Sequence, residues 1–221
     1  MNFDFDLAVN SFPVLLIGAL VTIKITAISV ALGVVIGLVV GVARISQVKP
    51  LRLLAMAYID FLRGTPLLVQ IFLIYFALPV VSGQRVDPFF AAITACSINS
   101  GAYVAEIFRS GIQSIDKGQM EAGRSLGMTW LQTMWHIILP QAVKRVIPQI
   151  GNEFIALLKD SSLVSVIGFE ELTRSGQLII ARTYGSLEIW PCVAIIYLVM
   201  TLSISQLVAY LERRFRIDDK H

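Results

Sequence analysis

Five apolar stretches, each long enough to cross a lipid bilayer, constrain this chain more than any motif it carries. They run over Pro13–Ala43, Leu53–Val81, Pro88–Phe108, His136–Leu158 and Ile189–Leu211. A hydrocarbon core about 30 Å thick takes about 20 helical residues to cross. Inside it every backbone N–H and C=O has to pair within the protein, so such stretches are read as helices. The first is longer than a perpendicular crossing needs and has to tilt or project beyond the bilayer. With 56% hydrophobic and 15% charged residues, the chain has too few charges to coat a soluble domain of its size. Its mean hydropathy of +0.76 points the same way. This is an all-α integral membrane protein. A net charge of +3 is too small to suggest a nucleic-acid partner. Asp4 and Asp6 stand where a secretory leader would be basic, so no cleavable signal peptide is expected. Cys96 and Cys192 lie in apolar runs and suit buried thiols better than a disulfide or a metal site.

Charge asymmetry orients the spans. Arg44, Lys49, Arg52 and Arg63 surround the first connection, and Arg109, Lys117, Arg124, Lys144 and Arg145 the third. Arg213, Arg214, Arg216 and Lys220 end the chain, whereas the other connections hold only Arg85, then Lys159, Arg174 and Arg182. The positive-inside rule puts the richer set in the cytoplasm, giving an outside N-terminus and a cytoplasmic C-terminus. Residues 161–188 are too polar to span and too apolar for a plain loop, so a partly inserted or surface-lying helix near the outer face is expected. No internal repeat or linker divides residues 1–221, which form a single transmembrane domain. Gly33, Gly37 and Gly41 leave a smooth strip on the first span, either for internal packing or for a second protomer.

One segment, at about 116–139, is a polar helix–glycine–helix module. Asp116 is placed to cap the first helix with Gln119 reaching back, and Ile115 and Met120 to staple it. Gly127 suits a left-handed helix end. Thr129 and Gln132 open a second helix with another capping box, and Pro140 should break or kink the fourth span near its cytoplasmic end. Glu121 and Arg124 can pair on one face, beside a thin face of Met120, Gly123 and Gly127 that a partner could approach closely. A cytoplasmic loop that is merely well folded explains the pattern equally well.

The segment Glu121-Ala122-Gly123-Arg124-Ser125-Leu126-Gly127, followed nine residues on by Ile137-Ile138-Leu139-Pro140, resembles the Glu-Ala-Ala signature of membrane subunits of bacterial ATP-binding-cassette importers. Gly123 replaces the second alanine. Phe61–Gln70, Asn99–Ile107 and Lys159–Leu163 look like the polar amino-acid permeases of that superfamily; Phe76–Pro79 and Leu187–Trp190 most resemble its glutamine branch. The resemblance implies a type I importer fold like that of methionine permeases, in the bacterial cytoplasmic (inner) membrane and surrounded by its lipid. It implies two cytoplasmic ATPase subunits docked on Glu121, Ala122, Gly123, Arg124 and Gly127, a second permease copy or close homologue, and an extracytoplasmic substrate-binding protein. The chain has no Gly-x-x-x-x-Gly-Lys-Ser/Thr loop, so it is read as non-catalytic and cofactor-free, with ATP and Mg held by the partner ATPases.

For the substrate pathway the candidates are polar groups inside spans. Glu153 and Asp160, seven residues apart, share a helix face with Phe154 beside them and suit an ammonium or guanidinium group. Asn99 and Tyr103, one turn apart, can either line the pathway or bond between helices; Ser100 is a further pathway candidate, and it and Ser97 can instead bond back to their own backbone. Lys24 is expected to snorkel, or to pair with Glu106 or Asp60. The function expected is import of a polar L-amino acid, glutamine first, with arginine, another basic amino acid or glutamate also possible. The alternative is an ion- or proton-coupled carrier titrating Glu153 and Asp160.

Overall fold

The computed structural model describes residues 3–215 and contains ten α-helices among them. Arg216 and Lys220, part of the charge asymmetry, lie outside the described residues. Helix α1 (Phe5–Ile45) runs unbroken for 41 residues through Pro13. Helices α2 (Lys49–Gly64) and α3 (Leu67–Phe72) follow, then a π turn (Leu73–Ala77) and α4 (Leu78–Ser82). After α5 (Pro88–Gln113) come α6 (Lys117–Ser125), α7 (Trp130–Thr133), a second π turn (Met134–Ile138) and α8 (Leu139–Asp160). A 3-10 segment (Ser161–Ile167), α9 (Leu172–Thr183) and α10 (Ser186–Phe215) complete the described residues.

By length and apolarity alone, α1 and α10 can cross a membrane. The second apolar stretch is no straight span: α2 meets α3–α4 at 107°, and only if the bent pair is one span does it make a third. Thr65-Pro66 is the break, because a residue before proline avoids helical geometry and proline has no N–H to give. Helices α5 and α8 have 26 and 22 residues, long enough in themselves. Their polar side chains keep their mean hydropathy down.

The most extensive interface joins α1 to α5, and the glycine strip makes it. A Cβ on Gly33 would lie 2.9 Å from Ser100 Cβ, and one on Gly37 2.6 Å from Val104 Cγ1. The strip is therefore internal packing and does not face a second protomer. Gly151 does the same for α8 against Val208 of α10. Pro140 does not end the helix, which continues from Trp130 to Asp160; the π turn Met134–Ile138 just ahead of it is the local distortion there.

Residues 161–188 are built into the fold instead of lying on its surface. Glu171 is fully buried and caps α9 by accepting from Thr173 N (2.9 Å) and Arg174 N (2.7 Å). It also accepts from Tyr197 Oη on α10 (2.9 Å), while Leu172 N donates to Thr22 Oγ1 on α1 (3.1 Å). A buried carboxylate needs this many donors to offset its lost hydration.

Candidate functional site

The polar module is held in two layers. Underneath, buried Ile115, Ile138 and Ala142 pack with Met120, Met134 and Ile137, so the Ile115–Met120 staple forms. Gly123 does not face outward. A Cβ there would meet Thr133 Cγ2 at 2.6 Å and Oγ1 at 2.9 Å, so α6 lies flat on α7 through a glycine contact. That crowding also accounts for glycine where the signature has alanine.

Above this base the backbone groups at the bend are satisfied locally. Asp116 caps α6 by accepting from Gly118 N at 2.6 Å. Gln119 does not reach back; its Oε1 accepts from Gln141 Nε2 at 3.5 Å. At the far end Met128 N donates to Gly123 O and Gly127 N to Arg124 O, both at 3.1 Å, the two bonds of a Schellman ending. Gly127 takes φ +85°, a left-handed conformation that costs other residues. Thr129 and Gln132 then exchange both bonds of a capping box, at 2.8 and 3.2 Å. Arg124 turns away from Glu121 and donates to Met128 O at 3.3 Å, adding a third tie across the bend.

What is left exposed is Glu121, Ala122, Arg124 and Gly127, with Leu126 81% exposed and Trp130 and Leu131 beside it. An exposed apolar tip on a polar, rigid bend is the arrangement of a helix-in-groove ligand. Sequence reasoning missed these three side chains. Their signal was large apolar residues at the ends of two short polar helices, where solvent alone would favour polar ones.

The interior candidates separate into two groups. Asn99 is buried and donates from Nδ2 to Gln70 Oε1 at 3.0 Å. Gln70 in turn donates to Leu62 O (2.8 Å), Thr65 O (3.1 Å) and Thr65 Oγ1 (3.0 Å). These two amides bind the bend between α2 and α3. Tyr103, one turn on, lies under the Arg63 guanidinium with 5.4 Å to the ring centroid. The second group surrounds Glu153. Half-buried on α8, its carboxylate lies near the Ser100 hydroxyl, which makes no hydrogen bond. Ser29, Ser97 and Ser100 are buried with no hydrogen-bond partner, so neither Ser97 nor Ser100 bonds back to its backbone. Phe154 packs against two apolar clusters, one around Ile71, Ala91 and Leu157 and one around Leu15, Leu158 and Ile189, and Asp160 is exposed beside Lys159. Lys24 meets neither Glu106 nor Asp60; its ammonium lies 6.0 Å from the Phe89 ring centroid. Glu106 is taken by Arg109, with Arg44 at 3.8 Å. Among the described residues no group of three or more His, Cys, Asp or Glu could hold a metal.

Residues 33–217 match the family described as binding-protein-dependent transport system inner membrane components. The glutamine transport system permease protein of Escherichia coli strain K12 is 45% identical over 98% of this chain and 100% of its own length. The arginine transport system permease protein of Bacillus subtilis is 39% identical over 99% and 100%. The L-cystine permease protein of the same organism is 42% identical over 95% and 90%. Among solved structures, an amino acid ABC transporter crystallised with histidines superposes with TM-score 0.94 at 47% identity, covering 97% of this chain and 100% of that one. An inward-facing methionine ABC transporter gives 0.77 at 22% identity over 92% and 97%, a likeness of fold alone.

Proposed function

The chain belongs to the family of binding-protein-dependent transport system inner membrane components, and from that premise we propose that it forms the pathway of an importer for polar L-amino acids, with glutamine the preferred substrate. As a family member it is the non-catalytic permease subunit of an ABC importer, working with ATPase subunits and a substrate-binding protein. The ion-coupled alternative loses its support with that membership. The finer reading is five spans, with the bent α2–α4 pair and the polar α5 and α8 counted, an outside N-terminus and a cytoplasmic C-terminus in the inner membrane. Two ATPase subunits, carrying ATP and Mg, dock one on each of two permease copies, and this chain holds no cofactor of its own. Since α5 occupies the glycine strip, the second copy pairs through another face.

The observation that carries the reading is the rigid bend at Glu121–Gly127. Its helix ends are satisfied by caps and its tip is exposed, so displacement of a docked ATPase moves α6 and α7 as one body onto the base of α8. Substrate is read by Glu153, with Ser100, Phe154 and Asp160 around it. The names of the relatives cover glutamine, arginine and cystine; of these side chains the cationic one is the one that a carboxylate such as Glu153 would favour. Asn99 and Tyr103 act from behind, by keeping the α2–α3 bend against α5.

The test is ATP hydrolysis by the reconstituted complex with its binding protein across a panel of amino acids. Glutamine should stimulate most. A complex that no amino acid stimulates, or uptake driven by a proton gradient without ATPase subunits, would overturn the proposal. Glu153→Gln should weaken a cationic amino acid far more than glutamine.

A further inference from the structure

An apolar cavity of about 670 Å³ opens between the C-terminal end of α1, the end of α5 and the start of α8. Leu38, Val42, Phe108, Ile112, Val143 and Ile147 line it. Val42 is 65% exposed and nothing in the fold covers it. The cavity's polar boundary is one-signed: Arg109 and Lys144 belong to its lining, and no acidic residue does. Arg109 does pair with Glu106, but Arg44 shares that same carboxylate, so the cluster keeps a net positive charge before Lys144 is counted. Trp135, 63% exposed, stands at the same rim, where indole rings favour the headgroup level of a bilayer.

We propose that this cavity is a binding site for an anionic phospholipid of the cytoplasmic leaflet, its acyl chain among the α1, α5 and α8 side chains and its phosphate at Lys144 and Arg109. The assignment rests on the proposed membrane orientation, with the C-terminus in the cytoplasm. Charge complementarity selects the occupant: an anionic headgroup satisfies Lys144 and Arg109 while its chain fills the apolar groove between them and α1. Leu139 and Pro140 belong to the same wall. The lipid therefore touches the base of the docking module and the end of α1 together, and its presence stiffens the joint through which an ATPase would push.

The test is native mass spectrometry of the complete complex in mild detergent, titrated with phosphatidylglycerol and with phosphatidylethanolamine of the same chains. Phosphatidylglycerol should be retained preferentially. Lys144→Gln should weaken it about fivefold, the share of one basic residue at an anionic surface, and weaken phosphatidylethanolamine, whose ammonium offsets its phosphate, by less. Val42→Trp, at an exposed position that folding tolerates, should fill the groove and lower retention of both. Equal retention of the two lipids, or preference unaltered by both variants, would overturn the site. So would a Val42→Trp protein that keeps its lipid and loses its second copy, or full competition by inorganic phosphate, which has no chain. Lipid is weighed on the resting complex, so an amino-acid panel that fails to stimulate ATP hydrolysis would sink the transport reading and leave this result standing.

Discussion

Two sharp bends in this chain solve the same problem by opposite means. Between α2 and α3 the helix breaks at Thr65-Pro66, and the freed carbonyls of Leu62 and Thr65 are satisfied by the buried side chain of Gln70, itself held by Asn99 from α5. Between α6 and α7 the break is exposed, and it is satisfied within its own residues by Gly127, a Schellman ending and the Thr129–Gln132 capping box. Where no water can replace a lost partner, a bend needs donors brought from elsewhere in the fold. Where water can, short-range caps suffice, and the bend becomes a separable part that a partner can grip.

The largest expected effect tests the first bend. Gln70→Ala removes the partner of buried Leu62 O and Asn99 Nδ2 and of half-buried Thr65 O, at roughly 1 kcal/mol each, and should lower the thermal midpoint of the detergent-purified protein by the equivalent of about 3 kcal/mol. A loss below about 1 kcal/mol would mean that the bend is held by packing. Gly123→Ala comes next, at about 2 kcal/mol for the clash with Thr133. The same change in a Thr133→Ala background should cost much less, and a double-mutant cycle with no coupling would remove the contact from the account. Gly127→Ala should cost about 1.5 kcal/mol from left-handed backbone strain alone, because nothing lies within 4 Å of the added Cβ. Smallest is Thr129→Ala, about 1 kcal/mol for a lost cap, seen as faster proteolysis at the α6–α7 bend with the midpoint of the whole protein barely moved. A global destabilisation as large as that of Gln70→Ala would erase the distinction between the two bends.

That distinction also decides what was legible in the sequence. Caps act over two to four residues, so Asp116, Gly127 and the Thr129–Gln132 box could be read directly, and the apolar stretches announced their helices. The Gln70–Asn99 pair spans 29 residues, and no local pattern joins them, so from sequence Asn99 stood open between lining the pathway and bonding between helices, and only the fold shows its amide on Gln70. The same holds for Glu171, whose partner Tyr197 lies on another helix, and for the Leu172 N–H, which finds Thr22 on α1, each near in space and far in sequence. Gly123 shows a subtler loss. Its smallness was plain, but a helix has two sides, and only packing reveals that the thin side faces Thr133. The outward face is carried by Leu126, Trp130 and Leu131 instead.

The central claim is that the exposed bend transmits force from the ATPases. Its most direct test is glutamine-stimulated ATP hydrolysis by the reconstituted complex carrying Glu121→Lys, with insertion and the thermal midpoint checked in parallel. The expected result is a correctly inserted, fully stable permease whose stimulation is lost, because an exposed docking charge has been reversed. Full stimulation, with ATPase subunits co-purifying in normal amount, would contradict it.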